Sequence, residues 1–234
     1  MKKTIGILGG MGPLATADLF RKIVVMTKAD NDNDHIRIFI DNNAAIPDRT
    51  AAILRGGKDP TEEMASALRN LEKCGADCII VPCNTAHYFI PRLQEMTDIP
   101  ILNMLEITAR EAAKRFPGKK GAILATTGTL STGLYDRALA AAGVDTVVPD
   151  EAQRKTLMYL IYDVVKASRP LREAAETWAG LLDELRGRGA DYFILGCTEL
   201  PILADSLDAP GPFIDPTAEL AAAAIGFCGY EVKR

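Results

Sequence analysis

Short runs of apolar, often β-branched residues alternate with longer amphipathic stretches along the whole chain. The runs 4–8, 36–41, 78–82, 99–102, 121–126, 146–148, 192–195 and 213–214 are too short for helices and predict strands. Between them, apolar positions at helical spacing fill 14–28, 61–74 and 171–186, and a last helix is predicted over Pro216–Phe227. Strand and helix in alternation predict an α/β fold whose parallel sheets are flanked by helices. In such sheets, functional groups gather beyond the carboxyl ends of the strands.

The pattern occurs twice. Gly75-Ala76-Asp77 leads through an apolar run to Cys83-Asn84-Thr85, and Gly189-Ala190-Asp191 leads through another to Cys197-Thr198-Glu199. At nearly the same spacing, Ile7-Leu8, Gly12, Leu14 and Thr16 recur as Ile123-Leu124, Gly128, Leu130 and Thr132. Two matches in register predict two pseudo-symmetric lobes, each a parallel sheet flanked by helices, with the active site in the cleft between them. The halves are expected to part near Pro117-Gly118. Residues 1–117 with a returning segment 215–234 would form the first lobe, and 118–214 the second.

Charge and cysteine usage narrow the class. A net charge of -4 gives no electrostatic footprint for nucleic acid. No apolar run approaches the roughly 20 residues that span a bilayer, so no membrane partner is expected. The opening Met1-Lys2-Lys3 and its short apolar run read as a first strand, because Gly9-Gly10-Met11-Gly12-Pro13 interrupts before a signal-peptide core could form. A cytoplasmic setting is therefore expected. An odd number of cysteines (Cys74, Cys78, Cys83, Cys197 and Cys228) argues against a disulfide framework. The spacing of the first three is not that of a zinc pair, so no metal is expected.

Chemistry concentrates at the predicted strand ends. Cys83 stands between a strand and a helix-like run beginning near Thr85, where free amides and a helix dipole favour thiolate. Taken alone it reads as a small buried residue; the match to Cys197 turns the balance to function. Asn84 and Thr85 could hydrogen-bond a carboxylate or cap the helix, and Thr198 is the polar neighbour on the other side. Gly196 would let backbone approach a ligand. Glu199 either orients a group near the thiol or opens a helix where acids are favoured.

Gly10-Met11-Gly12-Pro13-Leu14-Ala15 fits a loose dinucleotide fingerprint. Pro13 removes an amide, however, and the acid that should follow about 20 residues later is poorly placed. This loop and its counterpart around Thr127 read instead as cleft walls offering amides and hydroxyls to an anion. Arg49, just after a strand, and Lys166, near the repeat-equivalent position, could hold a substrate carboxylate, unless both are solvated surface charge. His87, four residues after Cys83, could come near the thiol, as a Cys–His hydrolase would need. It has no counterpart in the second half. His35 reads as opening a strand.

Gly-Gly-Met-Gly-Pro at 9–13, Asn-Asn-Ala at 42–44, Pro-Cys-Asn-Thr at 82–85 and Gly-Cys-Thr-Glu at 196–199 resemble the aspartate/glutamate racemase family, most closely its aspartate branch. The resemblance runs the length of the chain. It implies a homodimer of two-lobed subunits that racemise an acidic amino acid, aspartate first with glutamate as a second substrate, without pyridoxal phosphate, other cofactor or metal. Cys83 and Cys197 fall where the family has its two acid–base thiols. Asn84, Thr85, Thr127 and Thr198 match residues holding the α-groups, and Arg49 and Lys166 match those binding the side-chain carboxylate. Met11, Asn42 and Glu199 complete the substrate-facing set. Glu199 stands where glutamate racemases usually carry His, which points to the aspartate branch. Maleate isomerases and hydantoin racemases share the two-thiol plan. A nucleotide-binding or non-catalytic ligand-binding protein is the alternative of a different class.

Overall fold

The structure, a computed structural model, describes residues 2–209 and 211–233. The chain divides into two compact units, Met1–Ile107 with Thr217–Arg234, and Thr108–Pro216.

The first unit runs β1 (Ile5–Gly9), α1 (Pro13–Met26), β2 (Ile38–Asn42), α2 (Arg49–Leu54), α3 (Thr61–Lys73), β3 (Cys78–Ile80), α4 (Ile90–Gln94) and the start of α5 (Met104–Arg115). Its sheet is parallel, in the order β2-β1-β3. β1 is buried at every position, as a central parallel strand covered on both faces must be. The period of two sorts its side chains. Ile5 and Ile7, with Cys78 and Ile80, join a core with Leu19 and Ile23 of α1. Leu8, with Ile79 and Val81, packs on Met64, Leu68 and Leu71 of α3. The predicted strand at 99–102 is reduced to a parallel bridge between Ile101 and Ile79. Pro100 accepts from the Ile79 amide but has no N–H of its own to extend the ladder.

The second unit runs β4 (Gly121–Ile123), α6 (Thr127–Ser131), α7 (Leu134–Ala141), β5 (Thr146–Val147), α8 (Glu151–Met158), a π-helical segment (Tyr159–Lys166), α9 (Ala175–Gly187), β6 (Tyr192–Ile194), α10 (Leu200–Ser206) and β7 (Phe213–Ile214). Its parallel sheet has the order β5-β4-β6-β7. With the Ile101 bridge counted, the first unit has the same order, so the repeat in sequence is also a repeat in topology. Ala122, Leu124, Phe193 and Leu195 share one core with Leu157, Leu160, Trp178 and Leu182. The last helix, α11 (Pro216–Phe227), adds Leu220, Ala224 and Ile225 to the core of the first unit. The predicted helix over 171–186 begins later as regular α-helix, because Leu171–Ala174 forms a tighter 3₁₀ turn. The π-helical segment was not foreseen; i→i+5 bonding leaves no mark in apolar spacing. No helix among the described residues is long and apolar enough to cross a membrane.

Candidate active site

In the first unit, the loops after β1, β2 and β3 carry the sequence-predicted residues. The Gly10 N–H donates to Thr16 Oγ1 at 3.0 Å, and that hydroxyl donates back to the Gly12 carbonyl at 3.0 Å. Gly10 has φ +93°, and a Cβ there would lie 2.2 Å from the Asn43 carbonyl oxygen. This glycine therefore serves the close approach of two loops. Met11 is buried in the core beside Ile46, and Asn42 is exposed at the end of β2.

Arg49 opens α2, whose N-cap Asp48 accepts from the Ala51 amide at 2.6 Å. Only 8% of Arg49 is exposed, so it is not solvated surface charge. Its Nη1 donates to the carbonyls of Ile46 (3.2 Å) and Pro47 (2.9 Å), and Nη2 to that of Met11 (3.3 Å). The guanidinium thus knits the loop after β1 to the loop after β2.

Beyond β3 the backbone turns sharply, with the Cys83 N–H donating to the Val81 carbonyl at 2.8 Å. Cys83, Asn84 and Thr85 are all buried. The helix expected from Thr85 is only a 3₁₀ turn, Thr85–Tyr88, so no long helix dipole stands behind this thiol. His87 lies in that turn. The Met104 amide donates to its Nε2 at 3.1 Å, so Nδ1 carries the proton and donates to the Cys83 carbonyl at 2.9 Å. Burial holds the ring down at about 4, so it is neutral near pH 7. Both ring nitrogens are engaged with backbone, and His87 is a strut for the turn rather than a base on the thiol.

In the second unit, Thr126 caps α6 by accepting from the Thr129 amide at 3.2 Å, and the Thr127 N–H meets Met158 Sδ at 3.3 Å. Beyond β6 the turn bond is made one residue earlier than in the first unit, from the Gly196 N–H to the Ile194 carbonyl at 2.8 Å. Pro82, at the matching position, has no N–H to make it. Gly196 packs against protein: a Cβ there would sit 3.1 Å from Ala125 Cβ and 3.2 Å from the Tyr135 ring. The close approach expected for a ligand is therefore taken by the neighbouring strand end and α7.

Cys197, Thr198 and Glu199 are buried. The Cys197 thiol donates to Glu199 Oε2 at 3.0 Å, and the Thr198 hydroxyl donates to the same oxygen at 3.3 Å. Glu199 Oε1 pairs with Lys166 Nζ at 3.1 Å, at the end of the π-helical segment. Lys166 Nζ also lies 5.3 Å from the centre of the Tyr162 ring. Burial first, and then the Glu199 carboxylate, push the Cys197 thiol well above its ordinary range, with Lys166 opposing. Tyr135, buried on α7, is likewise pushed up by burial. The Lys166–Glu199–Cys197 chain and the His87 strut were not legible as contacts in the sequence. The only signal was that Glu199 and His87 break the correspondence between the two halves. Among the described residues, no group of three or more His, Cys, Asp or Glu side chains is gathered as metal ligands would be.

Two parallel α/β units of like topology, each ending a strand in a buried cysteine among polar neighbours, define the class. The Asp/Glu/Hydantoin racemase family model matches residues 8–224, and the chain belongs to that family of amino-acid racemases, which are isomerases. It superposes on the aspartate racemase of Picrophilus torridus with a TM-score of 0.84 and 32% identity, covering 99% of this chain and 96% of that one. It is 30% identical over 227 residues to the broad specificity amino-acid racemase RacX of Bacillus subtilis (strain 168), covering 93% and 94% of the two chains. It is also 32% identical over 187 residues to the glutamate racemase of Desulforudis audaxviator (strain MP104C), covering 75% of this chain and 66% of the relative.

Proposed function

We propose that this protein racemises an acidic amino acid, aspartate foremost, by a two-base exchange in which Cys83 and Cys197 serve opposite faces of the same Cα. The observation that carries the reading is the equivalence of the two turns: each thiol follows the matching strand, β3 or β6, of a repeated sheet, and each is buried among hydrogen-bonding side chains. One thiolate takes the α-proton, and the opposite thiol donates its own to the other face. No net proton is consumed, and the configuration is inverted. Asn84, Thr85, Thr127 and Thr198 are the groups for the α-carboxylate and ammonium, and fixed donors there stabilise the charge that develops as the weakly acidic Cα–H is lost. Arg49 and Lys166 supply the positive charge that favours a second carboxylate on the substrate. Met11, in the loop after β1, and Asn42, the last residue of β2, stand where those strand ends would border the substrate. A cytoplasmic homodimer completes the reading.

A wider substrate range is the second reading, favoured by the likeness to the broad specificity racemase. The test is incubation of L-aspartate, and then a panel of amino acids, with the enzyme in deuterium oxide. D-aspartate with deuterium at Cα is the expected product. Failure to exchange any amino acid on the panel refutes the proposal. Cys83→Ala and Cys197→Ala should each lower racemisation by about 10²–10⁴-fold, the usual contribution of a positioned proton-transfer group. Chiral chromatography reads both results.

A further inference from the structure

The two thiols are buried alike, Cys83 6% and Cys197 7% exposed, and Cys197 donates to a buried carboxylate, that of Glu199, at 3.0 Å. That carboxylate is itself fixed. Glu199 is 4% exposed, with one oxygen on Lys166 and the other accepting from both the Cys197 thiol and the Thr198 hydroxyl. An acceptor held this way has one use for the neighbouring sulfur, which is to keep a hydrogen on it. A thiolate at Cys197 would turn a 3.0 Å hydrogen bond into a contact between two anions.

We propose that Glu199 is a positioning residue that fixes the proton on Cys197 in the free enzyme, so that the resting enzyme holds Cys83 as base and Cys197 as acid. The proposal rests on the two-thiol reading and adds to it an order of events. The Cys83 thiolate takes the α-proton and becomes a thiol. Cys197 gives its hydrogen to the opposite face and becomes a thiolate beside the Glu199 carboxylate. The enzyme resets by losing a proton from Cys83 to water and gaining one from water at Cys197, and the repulsion at Glu199 favours that reset. The enantiomer whose α-hydrogen faces Cys83 is therefore the one the resting enzyme accepts.

The charged and titratable groups facing Cys197 act in different senses. The Glu199 carboxylate, on its own turn, opposes the thiolate, whereas Lys166, from the π-helical segment, and the Glu199 backbone amide favour it. Tyr135, from α7, stays neutral over the working range, with Asp215 beside it reinforcing that state. Lys166 thus tunes how strongly Glu199 holds the proton.

Steady-state ratios cannot expose this asymmetry, because two enantiomers have equal energies and kcat/KM must be the same in both directions. Thiol labelling can. Iodoacetamide reacts with thiolates, so its rate at each cysteine, read by peptide mass spectrometry between pH 6 and 10, reports where the proton sits. The expectation is that Cys197 labels at least about tenfold more slowly than Cys83 at pH 7, the effect of one unit of pKa or more. Exposed Cys74 provides a solvent-accessible thiol for reference.

Glu199→Gln should speed labelling at Cys197 by about tenfold and move its midpoint to lower pH, leaving Cys83 unchanged. Lys166→Gln should act in the opposite sense and slow Cys197 further, a pairing that mere loosening of the structure would not produce. Equal rates at the two cysteines in the unaltered protein would overturn the proposal, and so would a Cys197 that Glu199→Gln fails to speed up. Should Glu199→Gln not fold, the rate comparison and Lys166→Gln still decide. Labelling reads the proton whether or not the protein racemises anything, so this proposal and the one before it fail separately.

Discussion

Cys83 and Cys197 stand beyond matching parallel strands, but their surroundings differ in kind. Around Cys83 the added group is His87, neutral and buried, which holds the backbone carbonyl of the cysteine. Around Cys197 it is Glu199, charged and clamped by Lys166, which holds the sulfur itself. One turn is fixed through its main chain, leaving the thiol to other influences. The other is fixed through the proton on its side chain. Duplication supplies two equivalent positions, and one residue beyond each, His87 or Glu199, makes their surroundings unequal.

The strongest way to break this comparison is to charge His87. Its folded value of about 4 lies below the ordinary 6.5, so the ring is neutral in the fold and protonates more readily when the chain unfolds. The stabilisation it contributes is therefore complete above pH 6.5 and is lost as pH falls towards 4. The loss should reach roughly 2–3 kcal/mol by pH 4.5. His87→Gln should lower stability at pH 7 but remove that acid limb. Urea unfolding of both proteins at pH 7 and pH 4.5 measures the difference. Equal pH dependence in the two proteins would mean that His87 is not the buried neutral strut described.

The next test sharpens the comparison in the cores. β1 and β4 are equivalent central strands, yet Ile5 opposite Cys78 in the first becomes Gly121 opposite Tyr192 in the second. Large and small have changed places across the same strand pair. Cys78 uses the room left to it to meet Cys228, sulfur to sulfur at 3.9 Å. Tyr192 stacks on Phe116 with ring centres 4.3 Å apart. A Cβ on Gly121 would lie 2.7 Å from the Tyr192 ring, with no flexible end to yield. Gly121→Ala should cost about 1–3 kcal/mol by overpacking. In a Tyr192→Cys background the same change should cost little, giving a coupling of about 1 kcal/mol or more in a double-mutant cycle. Additive effects would show that the exchange of volumes is incidental.

The strand-and-helix alternation and the duplication were legible because they are written in periodicity and in repeated residues. Gly75-Ala76-Asp77 and Gly189-Ala190-Asp191 lead into equivalent strands, and sheet order follows from that. That Cys83 and Cys197 follow equivalent strands was legible for the same reason. What escaped was whatever depends on a side chain turning one way rather than another. Arg49 could be placed after a strand, but not seen donating to three carbonyls. Glu199 left two readings open in the sequence, and both describe it: its carboxylate meets the Cys197 thiol, and its backbone opens α10 at the N-cap. The helix expected after Cys83 failed because Pro91, at the start of α4, sets the regular helix later and leaves only a tight turn before it.

The smallest effect concerns the loops after β1 and β4. Gly10 and Thr126 are repeat-equivalent, but the hydroxyl that organises each loop comes from a different place. In the second unit Thr126 caps α6 with its own side chain. In the first, Gly10 has none, and Gly12 caps α1 without a side-chain bond, so Thr16 reaches back from within the helix to hold the Gly10 amide and the Gly12 carbonyl. Thr126→Ala should therefore cost about 1 kcal/mol, the usual value of an N-cap, and Thr126→Ser should recover most of it. Thr16→Ala should cost more, since it leaves the buried Gly10 amide without its acceptor. Thermal unfolding of the three variants ranks them. If Thr126→Ala proved as costly as Thr16→Ala, the two hydroxyls would be doing equivalent work, and the loops would share their energetics as well as their position in the repeat.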